Sequence, residues 1–179
     1  MNRHVLAWRR HVALAAVLVL VALARPSTAS ADLGGFTIAE FRTDLTVEEN
    51  ADLVVEERIA VDFQEDRHGL YRTIPVRYTD PHGYAYSVDF RLLGAEDGDG
   101  RRVGTQVTQE GQYVRIRLGD ADRYVRGRQV YVIRYRVQGA VKQFSDHDEI
   151  YWNAVGDEWQ TTIAAASAAV HLPEDVPAD

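Results

Sequence analysis

The sequence predicts an all-β domain, an antiparallel β-sandwich of about eight or nine strands. Three observations carry this expectation. Apolar and polar residues alternate in run after run from Phe36 onward. Asn, Asp, Pro and Gly punctuate those runs at short intervals. No stretch after residue 31 shows the 3.6-residue period of an amphipathic helix.

Taken in order, Phe36, Ile38 and Phe41 open a run that continues through Leu45 and Val47. Asn50-Ala51-Asp52 is a turn signal, and Val55, Ile59, Val61 and Phe63 then mark one face of a run from Leu53 to Phe63, so the two runs predict a hairpin. Gly69 to Tyr78 contains Pro75, which lacks a ladder N–H and places that strand at an edge, bulged or interrupted. Asp80-Pro81-His82-Gly83 is a turn, since Pro presets φ and Gly accepts positive φ. Tyr84, Tyr86, Val88 and Phe90 alternate after it, and Glu96 to Gly100 is a loop. Val103–Thr108 and Tyr113–Leu118 flank Glu110-Gly111 as a second hairpin. Val130 to Val137 (VYVIRYRV) is the most β-prone stretch, and Ile150-Tyr151-Trp152 and Thr161 to Leu172 complete the set. Two antiparallel sheets, each burying one face, close a shared core. A barrel of similar strand count is the alternative.

The first 31 residues differ from this body. Arg3, Arg9 and Arg10 precede a thirteen-residue apolar run, Val12 to Ala24, and Ala29-Ser30-Ala31 supplies a small-residue cleavage site before Asp32. Thirteen helical residues at about 1.5 Å each reach only about 20 Å, short of a ~30 Å hydrocarbon core. Residues 1–31 therefore read as a cleavable signal peptide rather than an anchor. Arg9-Arg10 also raises a twin-arginine route, with general export favoured. Residues 32–173 form the extracytoplasmic domain, and 174–179 a linker-like tail beyond Pro173.

Composition narrows the function classes. The formal charge is −7; residues 1–31 hold four arginines and no acid, which leaves 16 basic against 27 acidic residues and −11 on the remainder. Such a body is a poor match for nucleic acid or an anionic membrane surface. With no cysteine, disulfides, thiolate catalysis and cysteine-based metal sites are excluded. No cofactor motif is present: there is no phosphate-cradling glycine loop, and Ser87, Ser145 and Ser167 sit in no nucleophile elbow.

Asp146-His147-Asp148-Glu149 is the densest cluster of chemistry-bearing side chains. It could contribute to a cation site, but adjacent strand residues point to opposite faces, and a solvated turn explains it more simply. Asp97-Gly98-Asp99-Gly100 mimics part of a calcium loop, yet aligning it puts Ala95 and Gln106 at ligand positions, so it reads as a turn. The nine tyrosines and Trp152 and Trp159 suit strand packing, with some available for a sugar or peptide surface.

Gly69-Leu70-Tyr71-Arg72-Thr73-Ile74-Pro75 resembles the G-hydrophobic-Y-R-x-I-P signature of the DUF2207 family, bacterial predicted membrane proteins of unknown function. Leu45 to Glu57, Tyr131 to Val137, and Asp148-Glu149-Ile150-Tyr151-Trp152-Asn153 with Gly156, Trp159 and Leu172-Pro173 resemble further family segments in order and spacing. The resemblance implies an exported β domain followed by transmembrane helices, with membrane attachment only through a C-terminal segment that this chain lacks. It implies no activity. Its motif residues supply the interaction candidates: Tyr71, Arg72, Pro75, Asp148, Glu149, Trp152, Asn153 and Trp159. Arg72 is expected to pair with Asp148 or Glu149 near Trp152, because a planar guanidinium favours bidentate carboxylate and aromatic contact. Its rival role is to read an anionic ligand.

The sequence thus supports an exported, non-enzymatic ectodomain of the cell envelope, a binding or assembly module whose partner is an unknown envelope protein or glycan. The alternative is an envelope hydrolase using carboxylates near residues 146–149. The two separate on whether those acids converge in an aromatic-lined cleft or sit on an open turn.

Overall fold

The computed structural model describes residues 35–79, 83 and 85–173. The signal segment 1–31, the first three residues of the Asp80–Gly83 turn and the tail 174–179 lie outside the described residues. The described residues contain no helix and twelve strands: β1 (Phe36–Val47), β2 (Leu53–Arg67), β3 (Gly69–Pro75), β4 (Arg77–Thr79), β5 (Ala85–Ser87), β6 (Asp89–Asp97), β7 (Thr105–Glu110), β8 (Tyr113–Gly119), β9 (Val125–Gln138), β10 (Val141–Gln143), β11 (Asp148–Ile150) and β12 (Ala166–His171). The surplus over eight or nine comes from short pairs, β4 with β5 and β10 with β11.

A five-stranded sheet runs β12-β1-β2-β9-β6, and a three-stranded sheet runs β3-β8-β7. Their inner faces share one core. Leu53, Val55, Ile59, Val61 and Phe63 of β2 and Tyr131, Ile133, Tyr135 and Val137 of β9 meet Leu70 and Ile74 of β3 and Val114, Ile116 and Leu118 of β8. Each set keeps the two-residue period that makes one face of a strand apolar. The outer face of the five-stranded sheet is polar, with cross-strand ion pairs Arg134–Glu56, Arg136–Glu48 and Arg128–Asp62.

Two of the predicted turns form as their chemistry requires. Asn50 Oδ1 accepts the Asp52 N–H at 3.0 Å between β1 and β2. Asp97 Oδ1 accepts the N–H groups of Arg101 and Asp99, each at 2.9 Å, and these bonds hold its carboxyl below the usual range. The calcium-loop look-alike thus uses a carboxylate oxygen to close a turn. Pro75 ends β3, an edge strand of its sheet, and the chain resumes as β4 after Val76.

One pairing departs from the antiparallel expectation: β12 lies parallel to β1, with Phe41 opposite Ala166 and Leu45 opposite Val170. β9 and β12 both run in the direction of β1, and strands that run the same way need a long connection, which residues 139–165, mostly irregular, supply between β9 and β12. Tyr151-Trp152 belongs to that irregular stretch rather than to a strand, and β12 is shorter than the Thr161–Leu172 run.

Candidate functional site

Two strands carry a charge where the alternation calls for an apolar residue. On β2, Glu57 falls between Val55 and Ile59; on β3, Arg72 falls between Leu70 and Ile74. Both side chains point into the space between the sheets and are buried, Glu57 at 0% and Arg72 at 1% exposure. Isolated charges there would be prohibitively costly, so each needs a partner.

They partner each other. Arg72 Nε donates to Glu57 Oε2 and Nη2 to Oε1, both at 2.7 Å, a bidentate pair linking the two sheets. The Tyr135 hydroxyl of β9 donates to Glu57 Oε1 at 2.7 Å, and Arg72 Nη1 donates to the Thr73 carbonyl at 2.8 Å. Burial alone would lower the Arg72 pKa, but the charge of Glu57 and its hydrogen bonds outweigh that and raise it. Burial, then the nearby Glu57 charge, pushes the Tyr135 phenol well above its ordinary value. Arg72 therefore stays a guanidinium and Tyr135 a neutral phenol, both donating to Glu57.

Aromatic rings seal it. The Arg72 guanidinium lies 5.5 Å from the Phe41 ring centre and 5.4 Å from that of Trp159, and those two rings meet edge-on at 5.7 Å. Trp152 packs on the other side, its ring 6.1 Å from Tyr135. The Trp152 Nε1–H lies close enough to the Tyr135 hydroxyl to favour its ionisation slightly, yet it does not meet hydrogen-bond geometry. Gly156 crosses directly over the guanidinium: a Cβ there would stand 2.6 Å from Arg72 Nη1, and its φ of +84° is itself a glycine conformation. Asn153 Oδ1 accepts the Gly156 N–H at 2.9 Å, Trp159 Nε1 donates to the Val155 carbonyl at 2.9 Å, and Thr43 Oγ1 of β1 donates to the Ala154 carbonyl at 2.6 Å. Segment 152–159 is thus held as a cap over the buried pair.

The pairing expected between Arg72 and Asp148 or Glu149 does not form, because Glu57 takes the guanidinium from inside the core. Burial of Arg72 also removes it as a reader of an external anion. Asp148 and Glu149 instead lie exposed on β11, where His147, in the loop between β10 and β11, is bonded by Asp146 at 2.9 Å and Glu149 at 3.2 Å and stacked on Phe144. Those bonds raise the His147 pKa, chiefly through Asp146. Among the described residues no group of three or more His, Asp or Glu side chains is arranged to hold a metal ion. Tyr71 faces outward, half exposed, with the Arg115 guanidinium 4.2 Å above its ring. Pro75 contributes its carbonyl to the Tyr78 hydroxyl at 2.7 Å.

The structure therefore gathers Arg72, Trp152, Asn153 and Trp159 around one centre and leaves Tyr71, Pro75, Asp148 and Glu149 outside it. Glu57, Tyr135 and Phe41 complete that centre without having been singled out from the sequence. The conspicuous signal was Glu57 in phase with a run of core residues.

A protein-family match covers the span in which these residues lie. Residues 37–179 match the family model described as "Predicted membrane protein (DUF2207) N-terminal domain". The chain belongs to the DUF2207 family. It is 27% identical over 125 residues to "Uncharacterized protein YciQ" of Escherichia coli (strain K12), covering 68% of this chain and 20% of that protein. Among solved structures it is similar to native LTA4 hydrolase of Saccharomyces cerevisiae, with a TM-score of 0.50 and 10% identity over 78% of this chain and 23% of that one. An M1 zinc metallopeptidase from Deinococcus radiodurans aligns with a TM-score of 0.36 at 17% identity, over 63% of this chain and 23% of that one. At such identity the first likeness concerns the fold alone. The chain spans about a fifth to a quarter of the length of these relatives. Among the described residues no helix is long and apolar enough to cross a membrane.

Proposed function

We propose that this domain is the exported, non-enzymatic ectodomain of a longer envelope protein, a module for binding or assembly rather than catalysis. One observation carries the reading: the family-signature residues best suited to chemistry are spent on one another inside the fold. Arg72, Glu57 and Tyr135 are buried, mutually bonded and capped by segment 152–159, so they hold the domain's shape and reach no substrate. The acids considered for hydrolysis, Asp146, Asp148 and Glu149, are exposed on a hairpin, Asp146 and Glu149 bonded to His147, rather than converging in a cleft. What remains for function is surface, including exposed Tyr71, Tyr124, Phe144 and Tyr151. Rings of this kind suit a protein or glycan partner.

The test is affinity capture by the tagged full-length chain from envelope extracts, read by quantitative mass spectrometry, beside binding to purified envelope polysaccharide. Reproducible enrichment of a protein, or saturable polysaccharide binding, supports the proposal. Recovery of background proteins alone, with turnover of an envelope polymer that is lost in Asp146→Asn/Glu149→Gln, would overturn it.

A further inference from the structure

The sheet edges differ sharply in how they meet solvent. An open edge presents unpaired N–H and C=O groups, and proteins usually blunt it with charge, proline, bulges or a covering segment. The β6 edge has a bulge between Leu92 and Gly94 and is overlain by residues 101–103, through Asp97 N–H to the Arg101 carbonyl and Val103 N–H to the Ala95 carbonyl. The β3 edge ends in Pro75 and contains Gly69 at a φ of +131°. The β7 strand ends in Glu110, and its own sequence, TQVTQE, is polar.

Among the described residues the β12 edge has none of these devices. From Ala164 to Val170 the sequence is AAASAAV, without charge, proline or glycine, and its residues are exposed on both faces apart from half-buried Val170. Its polar groups have a definite phase. Phe41 sits opposite Ala166 and donates its N–H to the Ala165 carbonyl, so Ala165, Ser167 and Ala169 direct their backbone groups toward β1. By alternation, Ala166, Ala168 and Val170 direct theirs to the open side.

We propose that this edge pairs with β12 of a second copy of the chain, antiparallel about a two-fold axis at Ala168. The phase fits this register. Ala168 would face the partner's Ala168, and Ala166 would face the partner's Val170, three hydrogen-bonded residue pairs that each exchange two backbone bonds. An isologous seam sets each residue against its own counterpart, so a charged strand would oppose like charges. β12 has only Ala, Ser and Val there, and its terminal His171 is already paired with Asp44 at 3.1 Å in its own chain. The five-stranded sheets would become one continuous sheet. This deepens the assembly reading above and rests on it.

The absence of native cysteine makes the test direct. In the full chain, Ala168→Cys places the new thiols across the axis at about 5.5 Å between Cα atoms, within disulfide range. Mild oxidation is expected to give a covalent dimer that Val107→Cys, on the β7 edge, does not give. Light scattering of the wild-type chain is expected to give twice the chain mass, and Ala168→Lys, which opposes two ammonium groups, is expected to lose the dimer while keeping the melting temperature that the wild-type chain shows once diluted to monomers. Equal cross-linking of the two cysteine variants, or a wild-type mass of one chain throughout the concentration series, would overturn the proposal. If envelope partners are still captured equally by wild type and Ala168→Lys while the wild type is monomeric, self-pairing fails and the binding-module reading stands.

Discussion

The sharpest consequence of the buried pair concerns Arg72→Met. The substitution keeps much of the side-chain length but deletes both charge-assisted bonds to Glu57, each 2.7 Å, and leaves a fully buried carboxylate with only the Tyr135 hydroxyl. Breaking one side of a buried ion pair costs about 3–5 kcal/mol, because the remaining charge stays desolvated and uncompensated. Against a total of roughly 5–15 kcal/mol, that is a large fraction of what holds a domain folded. With a urea slope of about 1–3 kcal/mol/M, the midpoint should fall by roughly 2 M. Glu57→Leu should behave alike, stranding the guanidinium instead. The double variant Glu57→Leu/Arg72→Met leaves no buried charge, so it should recover most of the loss, and the coupling between the sites should be strongly favourable. Urea unfolding followed by tryptophan fluorescence reads all three, since Trp159 lies against Arg72 and Trp152 against Tyr135. A loss below about 1 kcal/mol in Arg72→Met, or a double variant worse than either single, would refute the buried-pair argument.

Three further outcomes follow from the same geometry. Tyr135→Phe removes one donor to Glu57 without stranding a new group and should cost about 1.5–3 kcal/mol in the same unfolding assay, less than Arg72→Met; an equal loss would mean that the phenol's hydrogen bond supports Glu57 as much as the guanidinium does. Gly156→Ala should lower the melting temperature well beyond Gly111→Ala: both glycines have positive φ, but only Gly156 would drive a Cβ into the guanidinium, and equal shifts would show that the cap does not press on Arg72. The His147 imidazole should titrate above about 6.5 by NMR and fall back toward it in Asp146→Asn. Because its pKa is raised in the folded state, the small stabilisation it gives is present below the unfolded value and lost as pH rises through the folded one; an unchanged midpoint in Asp146→Asn would remove Asp146 as the cause.

How much of this could be read from the residues depends on distance along the chain. The strands were legible because alternation is local: Leu53 to Phe63 and Val130 to Val137 display their core faces without any partner. The turns were legible for the same reason. Asn50 and Asp97 close them with their own side chains onto backbone two to four residues away. Pairing was not. The two carboxylates nearest to an aromatic signature drew Arg72 toward Asp148 and Glu149, whereas the sheets bring Glu57 across the core. A stricter use of the alternation would have found it, since Glu57 and Arg72 each interrupt a row of apolar residues on a buried face. Two opposite charges in core phase, on strands that face one another, have few affordable destinations except each other. The parallel placement of β12 was illegible for a different reason: Ala-rich residues 164–170 show no alternation that fixes either direction or face.

The buried Glu57–Arg72 pair and its cap also account for how a cysteine-free chain fixes its least regular part. Between β11 and β12 the backbone has little ladder pairing of its own, apart from the isolated bridge of Ile163 to Ile38. Its position is set by Thr43 on β1, by Gly156 lying over Arg72, and by Trp159 wedged between that guanidinium and Phe41. These contacts come from both sheets, so the segment can be seated only when the sandwich is closed and Glu57 has met Arg72. Where the segment sits then decides where β12 begins, because Thr162 and Ala164 bond Ile38 and Ala165 bonds Phe41 directly after it. An apolar pair at positions 57 and 72 could fill the same volume, but it would offer no planar, charged surface for Trp159 to cover. The charged centre therefore places the final strand, and with it the sheet's one unguarded edge among those described, at a distance that packing alone would leave loosely determined.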